Sequence, residues 1–568
     1  MTTHSPAPVV NTAARTSPPT VSTPGNAARA RYWALWAFAA IPAVLALLTA
    51  IRAPRMHVLL DYWHVLAKVT DDQGRLLLGQ VFTFHLDQPF VLPSLLFWAD
   101  AAWFGGDNRV LTVLTVVLVA GSIIALRSML PAHLGPTKKA ALTAGMSWLL
   151  FSSHAAELWL QGTNGISWIP AVFFCTLAIA FSHHGRPWAA VIAATMGCLS
   201  FGAALPIWFV IALIAWLRND SRVRILVYAG IGAIVVAGWW LSKPAGQQSL
   251  ATSAFDPDGR ISVVAAAVGG LWSADLALVA VLAGVATSSL LALLISRTIL
   301  DRIGKAPAAF TDAGWVGVAV YSLALAIMLG LGRTTSQVPG GNVGLISRYV
   351  TIAALATTAL LTLLTLHRPR WPLRHTLILI VAVSLATHAI GGLKADNVRR
   401  DYTPLELAAI ALRVDAPTVL EALHIQRGAI PAARALGTYP FNNAFSLGCN
   451  GLELGGHVDL TTAQQITAAG PATTHAALDS KTPSRGDSII TGWALVNGAK
   501  PDCVLVTDTT GTIVGGGITG LRRTAAQPAT TPDGAAWQAV TGPTTEELTV
   551  LIARAGVLYR LTTPDETN

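Results

Sequence analysis

Leu276-Ala-Leu-Val-Ala-Val-Leu-Ala-Gly-Val-Ala-Thr-Ser-Ser-Leu-Leu-Ala-Leu-Leu-Ile-Ser296 contains no Asp, Glu, Lys or Arg. About 20 such residues span the hydrocarbon core of a bilayer as a helix. Val110–Leu126, Gly314–Leu331 and Thr376–Leu393 read the same way. The chain as a whole is 53% hydrophobic and 12% charged, about half the charge that solvates an ordinary soluble domain. A soluble protein would have to bury all of these apolar helices at once, so the pattern points to a polytopic α-helical membrane protein.

Reading outward from Trp33, helices are expected near 33–51, 108–127, 140–154, 165–182, 187–202, 204–217, 224–241, 276–296, 314–331, 349–366 and 374–393, about eleven spans. Alternate connections are basic. They carry Arg127, Lys138 and Lys139; His183, His184 and Arg186; Arg218, Arg222 and Arg224; Arg297, Arg302 and Lys305; and Arg368, Arg370 and Arg374. The positive-inside rule puts these loops in the cytoplasm of a plasma-membrane protein. An odd span count then places the N-terminus inside and the chain after about residue 394 outside. The net charge of +9 is thus mostly topology. It lies on separate loops without a nucleic-acid-reading motif, so nucleic acid is not expected as a partner.

Four regions follow: a disordered cytoplasmic tail (1–29), a transmembrane domain (30–394), a helical connector (395–430) and an extracytoplasmic β-rich domain (431–568). The tail is rich in Ser, Thr, Pro and Ala and can bury no core. The connector shows a helical pattern from Pro404 to His424. Beyond it the pattern changes to short strands at Ser488–Leu495, Cys503–Asp508, Thr512–Gly517, Glu547–Ala553 and Val557–Thr562, as in a small β-sandwich. Cys175 and Cys198 fall inside membrane helices as packing residues. Cys449 and Cys503 fall in the exported domain, where oxidising conditions permit a disulfide; two separate buried thiols are the alternative. No metal-ligand spacing occurs and no cofactor is implied.

The first exported loop, 52–108, is much longer than the other connections, and long loops carry function. It is rich in Leu, Phe and Trp, and amphipathic helices along the membrane surface are expected in it. His57, Asp61, His64 and Lys68 share one face if the segment is a helix. Asp61 would lie near the outer membrane boundary, where a carboxylate beside imidazoles can act as a base; a polar face meeting water is the plain alternative. His85 and Asp87 precede an apolar helix opened by Pro93, and Asp100 lies within that helix, an ionisable residue at membrane depth. His154 and Glu157, Arg333, and Arg348 with Tyr349 stand at other outer helix ends. The planar guanidinium of Arg348 suits bidentate phosphate binding; an interfacial anchor is the alternative.

Together these pieces resemble the GT-C superfamily of membrane glycosyltransferases. The resemblance rests on Asp61 in Leu59-Leu-Asp-Tyr-Trp-His64, on the run from His85 to Asn108 with its Pro-containing helix and Phe-Gly-Gly break, and on Ser347-Arg-Tyr349 opening a late helix. Asp61 is followed by Tyr where some GT-C families have a second acid, and His85-Leu-Asp-Gln88 lacks a basic residue. The resemblance implies transfer of a sugar, with inversion, from a lipid-linked (polyprenyl-phosphate) donor to a cell-envelope glycan or glycolipid acceptor on the outer face. Asp61 would be the general base. His57, His64, His85, Asp87, His154, Glu157, Arg333, Arg348 and Tyr349 would contact donor phosphate or substrate. Trp493 and Trp537 would be available to stack on sugars. Two other readings fit the same residues: a transporter or flippase of a lipid-linked intermediate, and a non-catalytic GT-C-like scaffold.

Overall fold

The computed structural model describes residues 26–242, 257–304, 308–333, 341–367, 372–468, 473–484, 487–523, 527, 532–543 and 547–561. The expected tail lies mostly outside them, as do Lys305, Arg368 and Arg370. Helix already begins at Asn26, within the stretch expected to be tail.

Helix α1 (Asn26–Ile51) leads into the first loop, folded as α2 (Leu60–Val69), the single turn α3 (Leu78–Val81) and α4 (Val91–Trp103). Next come α5 (Asn108–Ser128), α6 (Pro136–Leu150), α7 (Ala156–Leu160), α8 (Gly162–His183), α9 (Pro187–Ser200), α10 (Ile207–Leu217) and α11 (Arg222–Ser242). Then follow α12 (Pro257–Gly269), α13 (Ala277–Ile303), α14 (Ala308–Gly332), α15 (Val350–His367) and α16 (Leu373–Tyr402). Among the described residues eight helices (α1, α5, α8, α11, α13, α14, α15 and α16) are long and apolar enough to cross a membrane. Three segments expected as spans are shorter: α6, α9 and α10 have 15, 14 and 11 residues. Pro136 and Pro187 open the first two, and Pro206 immediately precedes the third.

Helix α12 is absent from the sequence reading because its short apolar stretch carries Arg260. It crosses α13 backbone to backbone. A Cβ on Gly269 would lie 1.9 Å from the Ala280 carbonyl, and one on Gly284 1.8 Å from that of Ala265; small residues permit such an approach. The basic helix ends gather at one end of the bundle. Arg302 donates to Asn219 at 2.7 Å, the Gly314 amide donates to His183 Nδ1 at 3.2 Å, and Ser128 meets His184 at 3.1 Å. The first loop sits at the opposite end.

Helix α2 is amphipathic, with Asp61, His64 and Lys68 on its half-buried face, and its apolar face packs inside the protein. Tyr62, Trp63, Val65, Leu66 and Val69 are buried, in one core with the connector and the sheet. Helix α2 begins only at Leu60, so His57 precedes it and does not share its polar face. The expected connector helix is broken. Helix α17 (Leu407–Val414) ends where Asp415 turns left-handed at φ +53°, and Pro417 opens α18 (Pro417–Ala422), followed by α19 (Ile430–Leu436). At the Phe104-Gly-Gly106 break, both glycines have positive φ, and a Cβ on Gly106 would lie 2.8 Å from Thr438 Cβ. Only glycine lets the connector close here, and the Tyr439 amide donates to the Gly105 carbonyl at 2.7 Å.

The β-domain is one eight-stranded sheet, not two packed sheets. Its strands are β1 (Gln464–Ile466), β2 (His475–Ser484), β3 (Asp487–Leu495), β4 (Cys503–Thr507), β5 (Ile513–Leu521), β6 (Ala536–Thr541), β7 (Thr549–Arg554) and β8 (Val557–Leu561). The order is β1-β8-β7-β4-β5-β6-β3-β2, antiparallel except for β1 with β8. Strand β2 also meets β8, so the sheet is nearly closed. Strand β4 alternates between two cores: Cys503 and Leu505 face the connector, while Val504 and Val506 face the inside of the curved sheet. Cys449 and Cys503 form a disulfide. Trp493 and Trp537 are both buried, so neither ring is open to a sugar.

Candidate functional site

A cavity of about 440 Å³ opens where the first loop meets the ends of α8, α11, α14 and α15. Its polar wall comprises Asp61, His85, Asp87, Gln88, Asn164, Ser167, Arg333 and Arg348. Its apolar wall comprises Phe90, Trp168, Phe201, Trp239, Leu325, Met328, Leu329 and Tyr349. Of the residues singled out from sequence, the cavity gathers Asp61, His85, Asp87, Arg333, Arg348 and Tyr349.

Asp61 stands in the first turn of α2, where the helix dipole favours a carboxylate. His85 Nε2 lies 3.2 Å from its Oδ1. Burial pushes the Asp61 pKa up, but the His85 hydrogen bond and the charges of His85, Arg348 and His64 outweigh it and hold it below the ordinary value. The carboxylate is therefore ionised near neutrality and only accepts, so His85 Nε2 carries the proton it donates. Asp61 Oδ2 has no hydrogen-bond partner among the described residues.

His85 is fixed by a tight turn. Its amide donates to the Gln88 carbonyl and the Gln88 amide donates back, both at 3.0 Å. Leu86 inside this turn has φ +56°, a conformation a branched residue adopts at a cost of about 1–3 kcal/mol. Trp239 Nε1 donates to the Asp87 carbonyl at 2.9 Å, and Gln88 Nε2 to the Asp87 carboxylate at 2.9 Å.

Arg348 is set from behind. Its Nη1 lies 3.4 Å from Glu157 Oε2, which also accepts from Asn164 Nδ2 at 3.1 Å. Burial raises the Glu157 pKa and Arg348 lowers it, with burial the larger influence. Ser347 donates to the His154 carbonyl at 2.5 Å and accepts from the Glu157 amide at 3.1 Å. Glu157 thus orients Arg348 and is not itself on the cavity wall. Arg333 has no ion pair among the described residues and is exposed.

Three histidines lie elsewhere. His154 is buried in a 3-10 turn behind the site. His64 is half-buried beside Asp61 but off the cavity wall. His57 is fully buried and stacks on Tyr62 with centroids 3.7 Å apart. Its Nε2 lies 3.0 Å from Asp100 Oδ2, which accepts from Tyr62 Oη at 3.2 Å. Burial raises the Asp100 pKa despite His57 and Tyr62. This cluster fixes the start of α2, which no side chain caps. The sequence reading omitted Asn164, Ser167, Trp168 and Trp239. Their signal is positional only: each lies near the first-loop end of an apolar helix.

Compared with known proteins, the chain matches no protein-family model, no curated protein and no solved structure, so the geometry of this cavity carries the functional argument.

Proposed function

We propose that the protein is a plasma-membrane glycosyltransferase of GT-C-like plan, using a polyprenyl-phosphate sugar to extend a cell-envelope glycan or glycolipid on the outer face. The membrane placement rests on the eight long apolar helices and on the basic helix ends gathered opposite the first loop. Helices α6, α9 and α10 complete eleven spans. Helix α12 adds none, because Ser262 near its start meets Asn342 and Asp275 beyond its end meets Lys394, both at the first-loop end. The count stays odd, which puts the β-domain on the side of the cavity.

The observation that carries the chemistry is Asp61 and Arg348 lining one cavity whose other wall is apolar. A lipid phosphate needs such a divided site: cations for the headgroup and hydrocarbon for the chain. In the reaction the acceptor oxygen attacks the anomeric carbon, and the sugar–phosphate C–O bond breaks with its electron pair leaving on the phosphate. The acceptor proton passes to Asp61 Oδ2. Held ionised, Asp61 is a weak base, which suffices where the leaving group departs readily. Arg348 and Arg333 stabilise the departing charge. The cavity's charged groups lie at the first-loop end of the bundle rather than in its middle, which favours transfer over transport.

The test is binding of a short polyprenyl phosphate to the purified chain in nanodiscs. Saturable binding weakened at least ten-fold by Arg348→Ala supports the reading. Binding indifferent to Arg348→Ala contradicts it.

A further inference from the structure

The first loop contains the run Leu76–Leu86, which has no Asp, Glu, Lys or Arg and which the cavity uses only at its end, from His85 onward. Leu78, Phe82 and Leu86 are 63%, 69% and 49% exposed. Several backbone groups of the same run are paired within the loop. The Leu77 amide donates to the Val69 carbonyl at 2.8 Å and the Gln80 amide to the Leu77 carbonyl at 2.9 Å. Thr83 donates to the Gln80 carbonyl from both its amide and its hydroxyl, at 3.2 and 2.7 Å. Lys68 Nζ reaches across to the Thr83 and Phe84 carbonyls at 3.2 and 3.5 Å. Exposed Leu78, Phe82 and Leu86 beside these paired groups suit a segment facing hydrocarbon, where an unpaired peptide group is costly, with Gln80 and Thr83 the polar side chains of the strip.

Its level can be read from its neighbours. Asp87, one residue past the run, bonds through its carbonyl to Trp239 in the last turn of α11. The Gln88 side chain packs against Gly202, in the turn before α10. Phe82 precedes Asp87 by five residues, so it lies within about 18 Å of that level. The end of α11 is itself apolar and open, with Leu241 82% exposed. Leu86, next to Asp87, therefore stands beside the open apolar end of α11, and Leu78 and Phe82 are the exposed apolar residues leading up to it. Charge returns just outside, at Arg75 paired with Asp71.

We propose that the turn 77–86 is inserted into the outer leaflet, with Leu78 and Phe82 among the acyl chains of phospholipid and the Lys68 ammonium tying down its carbonyls. Leu86 belongs both to this apolar strip and to the cavity wall, so the inserted turn forms one side of the cavity mouth. The inference rests on the membrane placement above and not on the transferase chemistry.

The test is photo-crosslinking of the full chain in phosphatidylglycerol–phosphatidylethanolamine nanodiscs, with benzoylphenylalanine replacing Leu78, Phe82, Asp72 or Leu241 in turn. Lipid adducts at 78, 82 and 241, at least ten-fold above those at 72, are expected. Adducts at 241 alone overturn the insertion. Cross-links to a second copy of the chain from 78 or 82 overturn it too, by assigning the face to a protein interface. Absence of adducts at all four positions overturns the membrane placement along with it.

Discussion

At the scale of single residues, the account turns on Asp61 and the groups that hold it. Asp61→Asn keeps the size of the side chain and removes its basicity. It should cut glycan transfer by about 10²–10⁴-fold, the usual worth of general-base catalysis, with expression and membrane insertion unchanged. The pH dependence has a definite sign. The base works only when ionised, so activity fails as pH falls through the Asp61 pKa. His85 helps hold that pKa below its ordinary value while burial works against it. His85→Ala removes the first influence and leaves the second, so the acid limb of the pH–rate profile should move to higher pH. A limb at the same pH would show that His85 does not tune the base. Asp61, His85 and Arg348 were legible in the sequence because they are isolated ionisable groups beside long apolar stretches. The role of Glu157 was not, because an acid that orients an arginine and one that touches substrate look alike in a sequence.

At the scale of elements, spacing arguments worked only where the element was as long as assumed. His57 shares a helical face with Asp61 only if α2 starts before it, but α2 starts at Leu60. His57 instead packs under α2 with Asp100 and Tyr62. That arrangement depends on α4 crossing beneath α2, a tertiary fact with no local signature. Asp100→Ala would leave His57 and Tyr62 buried without their acceptor. It should destabilise the loop by about 1–3 kcal/mol, seen as a lowered unfolding temperature of the purified protein. Unchanged stability would mean that the cluster does not hold α2.

At the scale of the whole molecule, apolar runs such as Leu276–Ser296 made the helical class legible, while α12 escaped because it is short and carries Arg260. The β-rich character of the tail domain was legible, but its single curved sheet was not. Strands β1, β2 and β6 lack strong alternation, and sheet closure is a long-range property. The Cys449–Cys503 bond ties the segment after the connector to β4 across a sequence separation of 54. Cys449→Ser should lower the stability of this domain by about 2–4 kcal/mol, measured as a shift in unfolding under non-reducing conditions. The central claim is that the molecule transfers a lipid-linked sugar at its outer cavity. Its most direct test is glycan and lipid-linked-sugar analysis of the encoding organism lacking this chain, complemented with either the native sequence or Asp61→Asn. The account predicts unextended acceptor in the deletion and in the Asp61→Asn strain, with extension restored by the native chain. Full extension with Asp61→Asn, or a lipid-linked intermediate stranded on the cytoplasmic leaflet, would contradict it.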